Sequence, residues 1–373
     1  MRTRKGSKEP KTMPPNPGIA GIGLIALDMV WSSDRSGLEL FAGGTCGNVL
    51  AILAFLGWKA MPIGRIGEDI AGELVKDDLA RWGADLSCIS LKPTAKTPVI
   101  VEKIRRDRNG IPFHTFSFHC PSCSRRFPGF QAVPACSIEV AIEMAGAADV
   151  LFIDRASKSS VLLAEAVSKA GGMIVFEPAS IVQSRSSAYL LETANVVKYS
   201  HDRIDELPQS DSKTRFLEIQ TLGRGGLRFK TRGTRNWQHM QAEPVEQIVD
   251  AAGSGDWLTA GFLYALHRRQ TNSHKKLGVK EIVQALALGQ KLAAWNCKYR
   301  GARGGMYTAD KSRIASIVAE GLSASVGHRH VTWTGSDAPN AVADVCLNCS
   351  SSRVQSVQPT VRARVLASGN RRA

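Results

Sequence analysis

With 373 residues, 43% of them apolar, the chain is long enough to bury a full core, and one large α/β domain with a small appendage is expected. No run approaches the roughly 18 uninterrupted apolar residues of a membrane span, and the opening residues lack the apolar core of a secretory signal, so the expected location is cytoplasmic. The net charge of +15 is weighted toward the ends and comes with no nucleic-acid-binding module or basic–aromatic interleaving, which favours a basic surface attractive to anionic substrates over a nucleic-acid binder.

In chain order, Met1 to Pro17 is a basic, Pro-rich lead-in expected to be disordered. Gly18 to Leu27 reads as one Gly-studded apolar strand, with Asp28 at its end to bind something polar. Leu38 to Phe41 is a short strand. Gly43-Gly44-Thr45-Cys46-Gly47-Asn48 then leads into a helix from Val49 to Leu56, stopped by Gly57. A Gly-Gly turn lets a ligand approach the backbone closely, and Asn48 both donates and accepts hydrogen bonds, a combination that suits a polyol. Ile63 to Gly72 reads as a loop before an amphipathic helix ending at Trp82.

Val99 to Ile104 and Phe113 to Phe118 form a hairpin around an Asn109-Gly110 turn. Arg105, Arg106 and Arg108 near that turn either reach an anionic substrate or face water. Helices are expected over Ile138 to Ala145, Ser160 to Ala170, Trp257 to His267 and Val279 to Trp295. Strands are expected at Val150 to Ile153, Met173 to Phe176, Val196 to Lys198 and Leu217 to Thr221. Alternation of this kind specifies a largely parallel sheet covered by helices on both faces.

The most informative stretch is Asp250-Ala251-Ala252-Gly253-Ser254-Gly255-Asp256, which runs into an apolar helix. A loop of small residues at a helix N-terminus is an anion site, because its N–H groups are unpaired and the helix dipole favours negative charge. A carboxylate beside a bound phosphate repels it unless it accepts a proton from an incoming hydroxyl. The stretch therefore points to phosphoryl transfer to an alcohol, with Asp256 as base and Ala252, Gly253, Ser254 and Gly255 as the anion hole. An ordinary Gly-rich loop with Asp256 as a helix cap is the structural alternative.

From about Ile19 to Met306 these motifs resemble, in order and spacing, the PfkB/ribokinase family of carbohydrate and nucleoside kinases. The segment from Gly43-Gly44 to Asn48 resembles the family's N-terminal signature, and Asp250 to Asp256 its C-terminal signature D-T-x-G-A-G-D. Thr221-Leu222-Gly223 with Gly225-Gly226 resembles its nucleotide-side turn. The resemblance implies a ribokinase-like three-layer α/β sandwich, with a mainly parallel central sheet and a small β lid. The kinase domain would span residues 18–326, with lid strands near 34–42 and 98–119 and a cysteine-bearing insert at 119–136. It implies ATP and magnesium as cofactors, and Asp28, Gly44, Thr45, Asn48 and Asp250 on the side of a sugar or nucleoside-like substrate. Thr221, Gly223, Gly226 and Asn296 would lie along the nucleotide, and the lid would offer a surface for a homodimer. The chain departs from the family at its N-x-x-E motif, where Ser200 and Arg203 stand. Arg cannot ligate a cation, which leaves the magnesium arrangement open: Ser200 can hold a water of hydrated magnesium, and Glu177 is either a replacement carboxylate or part of an ordinary strand-ending turn. A degenerate ribokinase-fold sensor or interaction protein is the alternative that this departure favours.

Eight cysteines include two Cys-x-x-Cys pairs, Cys120/Cys123 and Cys346/Cys349, each with the spacing of half a tetrahedral zinc site. A shared structural zinc requires the tail to fold back over the body; unliganded thiols and redox chemistry are the alternatives. His114 and His119 are further candidate ligands. A last helix is expected from Lys311 to Val326. Residues 327–373 read as a Ser/Arg-rich tail, mostly disordered apart from the second pair.

Overall fold

The computed structural model describes residues 16–32, 37–108, 110–208, 212–234, 236–268, 277–308, 331–333, 338–346 and 348–349. The lead-in before residue 16, Asn109 of the hairpin turn, the helix expected at Lys311 to Val326 and most of the tail lie outside the described residues.

Short, mainly apolar runs make central strands, because a strand covered on both faces needs no alternation. Thus β1 (Gly18–Ile22), β8 (Val150–Ile153), β9 (Met173–Phe176) and β10 (Val196–Ser200) run side by side at the centre of a nine-stranded sheet. Outside β1 lie β4 (Lys59–Gly67) and β5 (Ile89–Lys92). Outside β10 lie β11 (Leu217–Thr221), β12 (Leu227–Thr231) and β13 (Gln238–Met240). All neighbours are parallel except β11–β12 and β12–β13.

Successive residues of each central strand feed opposite layers. Val150 and Phe152 join one core cluster with helices α1 (Thr45–Phe55), α6 (Ser254–Arg268) and α7 (Val279–Asn296). Leu151 and Ile153 join the other, with α3 (Glu139–Ala145), α4 (Lys158–Lys169) and α5 (Arg185–Thr193). The three-layer α/β expectation holds.

A separate five-stranded sheet has the order β14-β3-β2-β6-β7. It comprises β2 (Ala26–Ser32), β3 (Leu38–Gly43), β6 (Val99–Arg106), β7 (Pro112–Ser117) and β14 (Val331–Trp333). Here the structure corrects the reading of Gly18 to Leu27 as one strand. The chain leaves the large sheet at Gly23 (φ 158°), where a Cβ would overlap the Asp154 carboxylate, and Leu24 N–H donates to Asp154 Oδ1 at 2.8 Å. Asp28 therefore lies inside a strand of the small sheet.

Ile63 to Gly72 is corrected too, since β4 runs through its first half and α2 begins before its end. Its glycines mark close packing: a Cβ on Gly64 would come within 2.7 Å of the Ile25 side chain. Asp69 caps α2 (Ile70–Arg81) by accepting from Gly72 N–H. The expected tail also contributes structure, β14 against β3 and a helix α9 (Ala338–Val345). Among the described residues no helix is long and apolar enough to cross a membrane.

Candidate active site

The Asp250 to Asp256 segment enters α6 as its composition requires. Gly253 has φ 71°, and a Cβ there would meet the Ala302 carbonyl at 2.2 Å, so only glycine fits. Asp250 shapes the loop, accepting from Ala252 N–H at 3.0 Å and from Gly301 N–H at 2.8 Å. Burial alone would raise the Asp250 carboxyl; hydrogen bonds from His114, Glu102 and those two backbone groups outweigh it and hold it below the usual range. Asp250 thus ties two loops together with both oxygens engaged.

Asp256 lies in the first turn of α6 and is 9% exposed. Burial and the nearby Glu177 charge push its carboxyl up to about 8, against the opposing pull of Lys198, an Asn48 hydrogen bond and Arg203. Asn48 Nδ2 donates to Asp256 Oδ2 at 2.8 Å, and Asn48 Oδ1 accepts from Arg303 Nε at 3.0 Å. Arg303, 1% exposed, also donates to Asp78 Oδ2 at 2.8 Å and to the Ala42 carbonyl. Asp78 in turn accepts from Ala42 N–H and the Tyr307 hydroxyl, both at 2.7 Å. A buried chain of polar groups therefore fixes Asp256, through Asn48, to α2 and to α8 (Gly304–Thr308).

On the opposite side of the loop Lys198 pairs with Glu177, whose other oxygen accepts from Thr259 Oγ1 at 3.0 Å. The Lys198 ammonium lies 3.5 Å from where a Gly255 Cβ would be, which sets a cation beside the loop that enters α6. In the small sheet Asp28 is buried, and among the described residues its Oδ1 has no hydrogen-bond partner. Burial raises its carboxyl to about 7, while Arg303 and the Gly44 N–H pull it back. Glu102 of β6 is likewise buried, and burial with the Asp250 charge raises it well above the usual range. His114 lies 3.4 Å from Asp250, so it belongs to this cluster with Glu102.

Gly44 has φ 76° and caps α1, with Thr45 as the first helical residue. Thr221, Gly223 and Gly226 lie at the carboxyl end of β11, beside Ser200 at the end of β10. The crevice outside the carboxyl ends of parallel strands is where open α/β sheets bind ligands. Asn296 is wholly buried, and its amide is engaged with the Ala302 carbonyl and Gly305 N–H, so it braces the glycine turn. Asp154, with Arg155, holds the exit from β1. Arg105, Arg106 and Arg108 are exposed, and Arg106 donates to the Gly110 carbonyl within its own turn.

Sequence reasoning passed over Arg303, Asp78 and Lys198. Two had a signal: Asp78 falls on the apolar stripe Ala71, Val75, Leu79 of α2, and Lys198 interrupts a buried strand. A charge on a core-facing position needs a partner.

The four cysteines of the two Cys-x-x-Cys pairs meet, each offering a sulfur within 4.8 Å of the others. His119, exposed, bridges to Arg126 outside this cluster.

Residues 25–309 match the model of the pfkB family carbohydrate kinases. A fructokinase from Klebsiella pneumoniae is 28% identical over 255 residues, covering 60% of this chain and 76% of its own. Among solved structures, a Xylella fastidiosa fructokinase with bound ATP superposes with a TM-score of 0.60 at 20% identity, covering 76% of this chain and 93% of its own. Arabidopsis thaliana ribokinase complexed with ribose and ATP gives 0.59 at 17%, covering 82% and 100%. At these identities the solved structures establish the fold.

Proposed function

Since the chain belongs to the pfkB family of carbohydrate kinases, we propose that it moves the γ-phosphoryl of ATP to a hydroxyl of a neutral sugar or nucleoside-like acceptor, with Asp256 as general base. One arrangement carries this reading. A buried carboxyl, raised to about 8, stands in the first turn of the helix whose N-terminal loop is the anion site. The acceptor oxygen bonds to the γ-phosphorus as its proton passes to Asp256. The bond to the β–γ bridging oxygen breaks and ADP leaves. The N–H groups of Gly253 and Gly255 and the Lys198 ammonium stabilise the charge on the transferred group, since the Ala252 N–H is taken by Asp250 and that of Ser254 by the Ala251 carbonyl.

The acceptor class follows from its surroundings. Asp28, Glu102 and Asp250 crowd the side of the site toward the small sheet; Asp250 is held charged and would repel a phosphorylated or carboxylated acceptor, whereas hydroxyls find hydrogen-bond partners in all three. The unpartnered Asp28 Oδ1 and the Gly44–Thr45 helix entry serve as polyol contacts, with Asn48 beside them. The small sheet acts as a lid that excludes water, which would otherwise compete for the phosphoryl group. Thr221, Gly223 and Gly226 lie along the nucleotide.

The donor set fits a hydrated magnesium ion better than a directly ligated one. Glu177 already engages Lys198 and Thr259, Ser200 offers a hydroxyl, and Arg203 repels a cation. Magnesium, when bound, neutralises phosphate charge; Glu177 and Ser200 would hold it through water.

The test is ADP release by the purified chain with ATP and magnesium over a panel of ketohexoses, pentoses and nucleosides. Substrate-dependent release that Asp256→Asn abolishes is the expected result. ATP binding with no acceptor-dependent turnover across the panel would favour the sensor alternative.

A further inference from the structure

The two cysteine pairs lie 223 to 229 positions apart, yet the chain folds each into a compact turn and sets the turns face to face. The first follows β7. Cys120 N–H donates to the Arg125 carbonyl at 2.8 Å and Ser124 N–H to the Cys120 carbonyl at 2.9 Å. Ser124 has φ 59°, the left-handed conformation that among the described residues no other non-glycine adopts. The strained turn aims the N–H groups of Ser122 and Cys123 at the Cys120 sulfur and that of Arg125 at the Cys123 sulfur. Such donors stabilise thiolates. The second pair follows α9, whose last turn carries Cys346 N–H to the Val342 carbonyl.

The sulfurs of Cys120 and Cys349 lie 3.7 Å apart and those of Cys123 and Cys346 3.8 Å. A tetrahedral zinc with bonds of about 2.3 Å to four thiolates requires edges of about 3.8 Å. We propose that Cys120, Cys123, Cys346 and Cys349 hold one structural Zn2+ that joins the segments following the two edge strands of the lid sheet.

The topology gives that ion a task. β7 and β14 are opposite edges of the five-stranded sheet. The first turn comes directly after β7, and the second comes after β14 by way of α9. An ion held by both therefore closes the lid's two edges into one covalent-and-metal loop. All four positions come from protein, which leaves no open coordination site and marks a structural ion. Arg125 and Arg126 beside the first turn offset the two negative charges of a zinc tetrathiolate. Apolar packing fastens the tail only in part. Val342 and Val345 join the main core, but a cavity of about 690 Å³ separates Asp69 and Thr97 of the body from Val345 and Asn348.

The test uses the full chain and does not depend on kinase turnover. After equilibration with Zn2+ and desalting, one zinc per chain is expected, with X-ray absorption showing four sulfur neighbours at about 2.3 Å. Cys346→Ser with Cys349→Ser removes the zinc, and Cys136→Ser, an exposed cysteine outside the cluster, keeps it. Stripping the ion from wild-type protein with a chelator is expected to speed proteolysis around residues 331–349. A chain that takes up no zinc, zinc ligated by nitrogen or oxygen, or a stoichiometry unchanged in the double variant would overturn the site. Proteolysis indifferent to the chelator would overturn the staple. Because coordination is measured on wild-type protein, misfolding of a variant does not rescue or sink the proposal.

Discussion

At the scale of single residues, the proton of Asp256 is set by burial first and by the Glu177 charge second, which together raise it to about 8. A base must be deprotonated to act, so kcat/KM of the free enzyme is expected to climb with pH and level off above about 8. A rate profile flat from pH 6 to 9 would exclude Asp256 as the base. Asp256→Asn should lower turnover roughly 10²–10⁴-fold, the usual worth of a positioned base. The same shift has a stability consequence. In the unfolded chain the carboxyl ionises near its ordinary value of 3.8, so between there and about 8 the folded state holds the extra proton and wild-type stability falls as pH rises. Asp256→Asn is therefore expected to raise Tm, by little at pH 4 and most at pH 8, as scanning calorimetry would record. Asp28, raised to about 7 by burial despite Arg303, tracks in the same direction.

At the scale of elements, the site depends on a helix entry and on the strand that faces it. Gly253→Ala places a methyl where the Ala302 carbonyl already is, in a backbone region that costs an L-residue about 1–2 kcal/mol before any clash. Denaturant titration should show a loss of at least that size. ATP-dependent turnover should fall with it, because the loop cannot keep its N–H groups aimed. A variant with normal stability would mean the loop relaxes freely. In the small sheet, β3 is covered by β14 of the same chain, so a homodimer through the lid has β14 and β7, not β3, as its edges among the described residues.

At the scale of the whole molecule, Asp256, Asn48, Arg303, Asp78 and Tyr307 link four helices and a turn that are far apart in sequence. Arg303→Met leaves Asp78 buried without its cation and should cost about 3–5 kcal/mol. If the chain also orients the base, as the geometry implies, kcat should fall while the acceptor KM changes little. A stable variant with unchanged kcat would reduce Arg303 to a spectator.

Much of this architecture was legible in the linear chain because its determinants are local. The apolar runs at Val150, Met173 and Val196 read as central strands, and small residues ahead of an apolar run marked the entry to a helix. Where glycine served packing instead of a turn, as at Gly64, local reading mistook a strand for a loop. It also ran β1 into β2, since nothing local reveals that Asp154, about 130 positions away, pulls the chain out at Leu24. The Cys-x-x-Cys spacing announced two half-sites, and folding alone decided that they face each other. The tertiary structure likewise selected the partners of Arg303 and Lys198, because a buried charge demands compensation without specifying, along the chain, which distant group supplies it.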